Sequence, residues 1–109
     1  MTINTIHANE VNDLNSSQNL ILIDVREKTE YEEVAAKGAK NVPLSTLDVD
    51  SALKNLSLDF GSGKPLYFIC RSGGRSLQAA EMFKDAGYDN VYNVVGGTVR
   101  WLELGLPTL

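Results

Sequence analysis

The feature that most constrains the fold of this chain is a pair of unbroken apolar runs. Residues 20–23 (LILI) lead directly into Asp24, and residues 66–70 (LYFIC) follow Pro65. Unbroken apolar runs of this length are typical of strands that are buried on both faces of a sheet. A third, shorter run lies at residues 91–94 (VYNV), and weaker strand patterns lie at residues 4–7 and 40–42. The chain is therefore expected to form a sheet that is covered on both sides.

Helical patterns separate these strands. One of them predicts a helix that begins near Thr29, whose side chain has capping-box spacing to Glu32. Tyr31 and Val34 would supply the apolar face of this helix, and Gly38 its end. Shorter helices are predicted around residues 11–14, 49–56 and 98–104.

The clearest helix is predicted over residues 76–86. Four apolar positions near one face have helical spacing: Leu77, Ala80, Phe83 and Ala86. Gly87 supplies the C-terminal cap. Strands that alternate with helices need crossover connections, which give parallel sheets. The predicted fold class is therefore α/β, with a mostly parallel sheet and helices on both faces.

Length and charge narrow the functional classes. The 109 residues are expected to form one domain over residues 1–109. The net charge is −4, with acidic and basic residues spread along the chain, which argues against a nucleic-acid or membrane partner. Residues 1–10 lack the layout of a signal peptide, so the expected location is the cytoplasm.

The numbers of cysteine and histidine residues limit the chemistry. The chain has one of each, Cys70 and His7, so it can form neither an internal disulfide nor a Cys/His zinc site. His7 lies near the terminus and is interpreted as a surface or strand-edge residue. No metal or other cofactor is predicted, and chemistry at Cys70 is expected to proceed without a histidine base.

Cys70 ends the second apolar run and begins a short polar loop. The loop reads Cys70, Arg71, Ser72, Gly73, Gly74, Arg75 and Ser76. In parallel sheets, ligands bind beyond the carboxyl ends of the strands, which is where this loop begins. Two successive glycines allow the backbone amides to turn inward and form an anion-binding nest before the following helix.

The two arginines add positive charge to this nest. A thiol beside cations and a helix N-terminus has a lowered pKa, so Cys70 is predicted to be an activated nucleophile beside Arg71 and Arg75. The alternative is a strand-end cysteine that acts only as a small buried hydrophobe. The arginines and glycines that follow Cys70 argue against that alternative.

The loop resembles the active-site loop of the rhodanese domain family, including its single-domain members. Three further segments are similar in the same order: Asp24-Val25-Arg26 with Glu30-Tyr31, residues 38–44 (GAKNVPL), and Gly96-Gly97 with Trp101. The resemblance implies a rhodanese-like three-layer fold with a sheet of five mostly parallel strands. Residues 36–39 (AKGA) depart from the Gly-His-Ile of many relatives, which we interpret as altered local packing.

The resemblance also implies sulfurtransferase chemistry. A small anionic donor such as thiosulfate would transfer sulfane sulfur to Cys70, and cyanide, a thiol or a protein would collect it from the persulfide. The loop residues expected to bind the donor and the persulfide are Arg71, Ser72, Gly73, Gly74, Arg75 and Ser76. Asp24 and Arg26 are expected to give structural support, with Arg26 paired to Glu30. The protein is expected to be a monomer or a weak dimer.

Two alternatives would use the same fold. Related phosphatases and arsenate reductases have five residues between the cysteine and the arginine, whereas four separate Cys70 from Arg75. The shorter loop suits a sulfur atom better than a tetrahedral oxyanion, and it has no obvious acid for a leaving alkoxide. The second alternative is a non-enzymatic sulfur carrier or a partner-docking domain. Cys70, Arg71 and Arg75 argue against an inert docking domain, whereas a sulfur carrier stays open because it differs from an enzyme only in its acceptor.

Overall fold

Five parallel strands form the sheet. The structure, a computed structural model, describes residues 3–17 and 20–109. The strands are β1 (Asn4–His7), β2 (Ile21–Asp24), β3 (Lys40–Asn41), β4 (Leu66–Ile69) and β5 (Val91–Val95). Their spatial order is β1-β5-β4-β2-β3, and each neighbouring pair is parallel. The predicted parallel sheet is thereby confirmed.

Helices cover both faces of this sheet. They are α1 (Ala8–Ser17), α2 (Lys28–Glu33), α3 (Val49–Asn55), α4 (Gly74–Asp85) and α5 (Gly97–Glu103), with a short 3-10 turn at Leu44–Thr46. Leu53 of α3 and Phe83 of α4 belong to one buried cluster, whereas Val11 of α1 and Trp101 of α5 belong to the other. The three-layer α/β prediction is therefore confirmed. Within the described residues, no helix is both long and apolar enough to cross a membrane.

The unbroken apolar run of β4 follows from its position in the middle of the sheet. Phe68 and Cys70 belong to the cluster under α3 and α4, while Tyr67 and Ile69 belong to the cluster under α1 and α5. Since successive side chains of a strand point to opposite faces, both sets of positions must be apolar. Cys70 thus projects toward the layer that contains α4.

The predicted start and end of α2 are wrong. Glu27, not Thr29, caps the helix, and its capping box is closed by Glu30 instead of Glu32. The helix ends at Glu33, and Val34 has extended backbone angles. The Val34 carbonyl accepts a 2.6 Å hydrogen bond from the Arg26 guanidinium, so a contact across the β2–α2 connection holds the backbone after the last helical turn.

The predicted buried face of α4 is also partly wrong. The helix begins two residues earlier than predicted, and its buried residues are Ser76, Ala79, Ala80 and Phe83. Leu77 is 39% exposed, and Ala86 is exposed as well. The apolar spacing alone does not show that the small polar Ser76 packs inward against Cys70.

The topology places a crevice at the carboxyl ends of β2 and β4. These strands are neighbours, but the chain leaves β2 toward β3 and leaves β4 toward β5, on opposite sides. Ligands of open parallel sheets bind where successive connections diverge in this way. The segments that begin at Asp24 and Cys70 both start at this point.

Candidate active site

The backbone at Cys70 is held by the start of α5. The Cys70 carbonyl accepts hydrogen bonds from the Thr98 amide (2.8 Å) and from the Thr98 hydroxyl (3.1 Å). Gly97 passes so close that a Cβ there would lie 2.4 Å from the Cys70 carbonyl oxygen, and its φ is +56°. Only glycine fits such an approach at a left-handed backbone position. The second glycine of the Gly96-Gly97 pair therefore lets α5 pack on the cysteine loop.

The Cys70 sulfur lies among hydrogen-bonding groups of its own loop. Its Sγ is 3.0 Å from the Gly73 amide nitrogen and 3.2 Å from the Ser76 Oγ, and the residue is 2% exposed. Burial raises the pKa of the thiol and is the largest single influence on it. Hydrogen bonds from the Ser76 side chain and from the amides of Ser76, Gly73 and Ser72 oppose burial, and together they lower the pKa of Cys70.

The structure therefore brings Ser72, Gly73 and Ser76 to the sulfur atom, as the loop sequence predicts. Hydrogen bonds to the charged form of a thiol favour the thiolate. The role of these residues in binding a donor or a persulfide stays a prediction. Gly74 begins α4 and is exposed.

Arg75 is held by an acidic side chain from α2. Its guanidinium donates to both carboxylate oxygens of Glu30, at 2.7 and 3.0 Å. The hydrogen bond with Arg75 is the main reason that the pKa of Glu30 falls from 4.5 to about 2. The predicted Arg26–Glu30 pair is wrong, because Glu30 binds the arginine of the cysteine loop instead. One of the two predicted loop cations is thus compensated by a carboxylate.

Asp24 and Arg26 form a buried ion pair behind the loop. The Asp24 Oδ2 lies 2.7 Å from the Arg26 Nη2, and the Asp24 Oδ1 accepts from the Arg26 Nε and from its amide, both at 3.0 Å. The two residues are 0% and 5% exposed. The Asn41 side-chain amide donates to the carbonyls of both residues and fastens the segment that follows β2. This geometry supports the prediction that Asp24 and Arg26 have a structural role.

A cleft of about 420 Å³ opens beside the loop. Arg71, Glu30 and Glu33 line it together with an apolar wall made of Val34, Val99 and Leu102. Arg71 is exposed, and within residues 3–17 and 20–109 it makes no ion pair. The cleft therefore contains, directly after Cys70, an arginine that has no ion-pair partner among the described residues.

Asn93 is a site residue that the sequence analysis did not single out. It lies in β5, is 8% exposed, and accepts a 2.6 Å hydrogen bond from the Ser76 Oγ at its Oδ1. Its Nδ2 donates to the Gly73 carbonyl at 3.2 Å. The available signal was a polar amide in the middle of an otherwise apolar strand, since buried polar side chains need hydrogen-bond partners.

His7 lies on a strand that is not adjacent to β4, the strand that leads into Cys70. His7 ends β1, an edge strand separated from β4 by β5, and its side chain is exposed, as predicted for a strand-edge residue. Among the described residues, no three acidic, cysteine or histidine side chains cluster closely enough to hold a metal ion.

Comparison with known proteins identifies the family. The family model described as the rhodanese-like domain matches residues 7–104. This chain belongs to the rhodanese-like domain family. The match covers both β2 and the loop after β4, so it includes the segments on which the sequence resemblance depends.

The relatives of this rhodanese-like domain include named sulfurtransferases. The chain is 36% identical over 92 residues to thiosulfate sulfurtransferase 16, chloroplastic, of Arabidopsis thaliana, covering 79% of this chain and 77% of that protein. It is 32% identical to the probable adenylyltransferase/sulfurtransferase MoeZ of Mycobacterium tuberculosis, covering 96% of this chain but only 26% of MoeZ. Several other relatives are also much longer, so this domain spans from about a fifth to three quarters of the matched relatives.

A solved structure agrees with the fold. The human single-domain sulfurtransferase TSTD1 superposes with a TM-score of 0.72 at 28% sequence identity. The superposition covers 94% of this chain and 97% of TSTD1. The comparisons therefore support sulfurtransferase activity at the level of the family.

Proposed function

We propose that this rhodanese-like domain is a thiosulfate sulfurtransferase that carries sulfane sulfur as a persulfide on Cys70. The observation that carries the proposal is the set of hydrogen-bonding groups around the Cys70 Sγ, from Gly73, Ser72 and Ser76. Such a set stabilises a negatively charged sulfur without a histidine base or a metal ion.

The first half-reaction loads the cysteine. The Cys70 thiolate attacks the sulfane sulfur of thiosulfate, and a new S–S bond forms. The bond between the sulfane sulfur and the sulfonate sulfur breaks, and sulfite departs with its electron pair. The product is a Cys70 persulfide whose charge lies mainly on the outer sulfur.

The second half-reaction transfers the outer sulfur of the Cys70 persulfide to an acceptor. A nucleophilic acceptor such as cyanide or a thiolate attacks the outer sulfur, and Cys70 leaves as a thiolate. The Gly73 amide and the Ser76 hydroxyl lie within hydrogen-bonding distance of the Cys70 Sγ, so they stabilise the Cys70 thiolate as the leaving group. The same donors therefore serve the nucleophile of the first step and the leaving group of the second.

The cleft supplies a place for the donor anion. Arg71 borders the cleft and has no ion-pair partner among the described residues, so its charge is available to the sulfonate oxygens of thiosulfate. Arg75 is held by Glu30 and contributes mainly to the shape of the loop. The open apolar wall at Val99 and Leu102 leaves room for a thiol or a protein acceptor.

Steady-state kinetics test this proposal. Thiosulfate and cyanide should give thiocyanate and sulfite with the wild-type protein, and Cys70→Ser should give none. Turnover of a phosphate ester without thiocyanate formation would instead favour phosphatase chemistry. A persulfide that forms but passes only to a protein, without turnover of small acceptors, would favour a sulfur carrier.

A further inference from the structure

The Ser76 hydroxyl lies between two acceptors but has only one proton. Its Oγ is 2.6 Å from the Asn93 Oδ1 and 3.2 Å from the Cys70 Sγ. Ser76 is fully buried, and its two neighbours are at most 8% exposed. A serine hydroxyl donates one hydrogen bond at a time. The three side chains therefore form a closed set in which one proton must serve one neighbour or the other.

The orientation of Asn93 decides where that proton lies when Cys70 is a thiol. The Asn93 Nδ2 donates to the Gly73 carbonyl at 3.2 Å, which directs the Oδ1 toward Ser76. An amide oxygen only accepts, so Ser76 must be the donor in the 2.6 Å contact. The Ser76 Oγ then accepts from the Cys70 S–H. The network runs from thiol to serine to asparagine.

This arrangement cannot persist when the thiol loses its proton. A thiolate has no hydrogen to give, so an Oγ lone pair would face a negatively charged sulfur. The hydroxyl can instead rotate, which breaks its hydrogen bond to the Asn93 Oδ1 and forms one to the Cys70 Sγ. The Ser76 proton stays on its oxygen, and the thiol proton leaves for solvent. The rotation leaves a buried amide oxygen without a donor, which is unfavourable.

We propose that Asn93 is a positioning residue that tunes the reactivity of Cys70 by competing with the thiolate for the Ser76 hydroxyl proton. In the thiol the hydroxyl donates to Asn93, and in the thiolate it donates to Cys70. In the persulfide the charge lies on the outer sulfur, so the hydroxyl is free to return to Asn93. The catalytic consequence rests on the proposed function, but the ionisation of Cys70 is measured without any sulfur transfer.

The test compares two replacements of Asn93 that keep its size but should shift the pH dependence of Cys70 alkylation in opposite directions. Asn93→Leu removes the competing acceptor, so the midpoint of the pH profile for iodoacetamide alkylation of Cys70 should fall. The thiolate fraction below the midpoint should rise about fivefold to tenfold, the equivalent of one hydrogen bond. Asn93→Asp places a stronger acceptor beside Ser76 and a negative charge near the sulfur, so its midpoint should rise. Tyr92→Phe, on the preceding residue of β5, should leave the midpoint unchanged.

A double-mutant cycle separates this competition from a general loosening of the loop. In a Ser76→Ala background there is no hydroxyl proton to share, so adding Asn93→Leu should no longer lower the midpoint. A shift of the same size in that background would overturn the proposal, because Asn93 would then act through Gly73 alone. An unchanged or raised midpoint in Asn93→Leu would also overturn it.

Two further measurements keep the outcomes distinct. Circular dichroism checks that each variant folds, and Asn93→Ala, which also removes the acceptor, replaces Asn93→Leu if the latter does not fold. Persulfide formation is assayed separately on the wild-type protein. A lowered midpoint in Asn93→Leu together with no persulfide in the wild type would refute the proposed function and leave the proton competition standing.

Discussion

The Glu30 carboxylate of α2 binds the Arg75 guanidinium of the cysteine loop through two hydrogen bonds, at 2.7 and 3.0 Å. The two residues are 45 positions apart in the chain. Since α2 follows β2 and Arg75 follows β4, this pair joins the two sides of the crevice in which Cys70 lies. It holds the far end of the loop while Thr98 holds its beginning.

The Glu30–Arg75 pair should make stability depend on pH in a defined direction. The folded pKa of Glu30 is lowered from 4.5 to about 2, so the pair stabilises the fold fully above pH 4.5. That contribution is lost as the pH falls from 4.5 toward 2. Glu30→Gln should cost about 0.5–1 kcal/mol at neutral pH, because the pair is partly exposed. Urea unfolding at several pH values should show that this difference disappears near pH 2.

Glu32→Gln is the matched control for that experiment. Glu32 lies on the same helix and is exposed. Its replacement should change the free energy of unfolding little at any pH. A Glu30→Gln difference that stays constant down to pH 2 would show that the ion pair does not have the lowered pKa.

Gly97→Ala should displace the cysteine loop. A methyl group at this position would lie 2.4 Å from the Cys70 carbonyl oxygen, and the φ of +56° is strained for alanine. The expected loss is about 2 kcal/mol or more of unfolding free energy, with slower alkylation of Cys70. In Gly61→Ala the added Cβ would lie 3.5 Å from the Asp59 Oδ1 and no left-handed φ is required, so this variant should change neither measurement appreciably. Equal effects of the two substitutions would contradict this account.

Breaking the buried Asp24–Arg26 pair should be costly. Asp24→Asn leaves the Arg26 charge buried without its counterion, and such a loss typically costs about 3–5 kcal/mol. Chemical denaturation measures this directly. Glu103→Gln removes an exposed partner from the Arg100–Glu103 pair and should cost no more than about 0.5 kcal/mol. A similar cost for both variants would mean that burial does not set the strength of these pairs.

Arg71→Ala should weaken donor binding more than thiol reactivity. Loss of this cation beside the cleft should raise the KM for thiosulfate about tenfold or more, because a hydrogen bond to a charged group contributes about 1.5–3 kcal/mol. The rate of alkylation by neutral iodoacetamide should change little. Arg100→Ala, which removes an exposed arginine from α5, tests whether the effect comes only from net charge. An equal rise in KM in both variants would remove Arg71 from the proposed donor site.

The features that follow from local patterns were predictable from the sequence. The apolar runs located β2 and β4, and the polar loop after β4 located Cys70 beside inward-facing amides. Both depend on residues that are near one another in the chain. The order of strands with intervening helices was enough to predict a parallel sheet.

The partners chosen across the fold were not predictable in the same way. Glu30 was expected to pair with Arg26, four residues away, but it binds Arg75 because the crevice brings α2 beside the cysteine loop. Asn93 reaches Ser76 only because β5 lies beside β4. A sequence gives the residue types that need partners, whereas strand order and helix packing decide which partners they meet.

The most direct test of sulfur transfer through Cys70 is intact-protein mass spectrometry after exposure to thiosulfate. We expect the wild-type chain to gain the mass of one sulfur atom and to lose it again when cyanide is added. Cys70→Ser should gain none. An unchanged wild-type mass, or an equal gain in Cys70→Ser, would contradict the account.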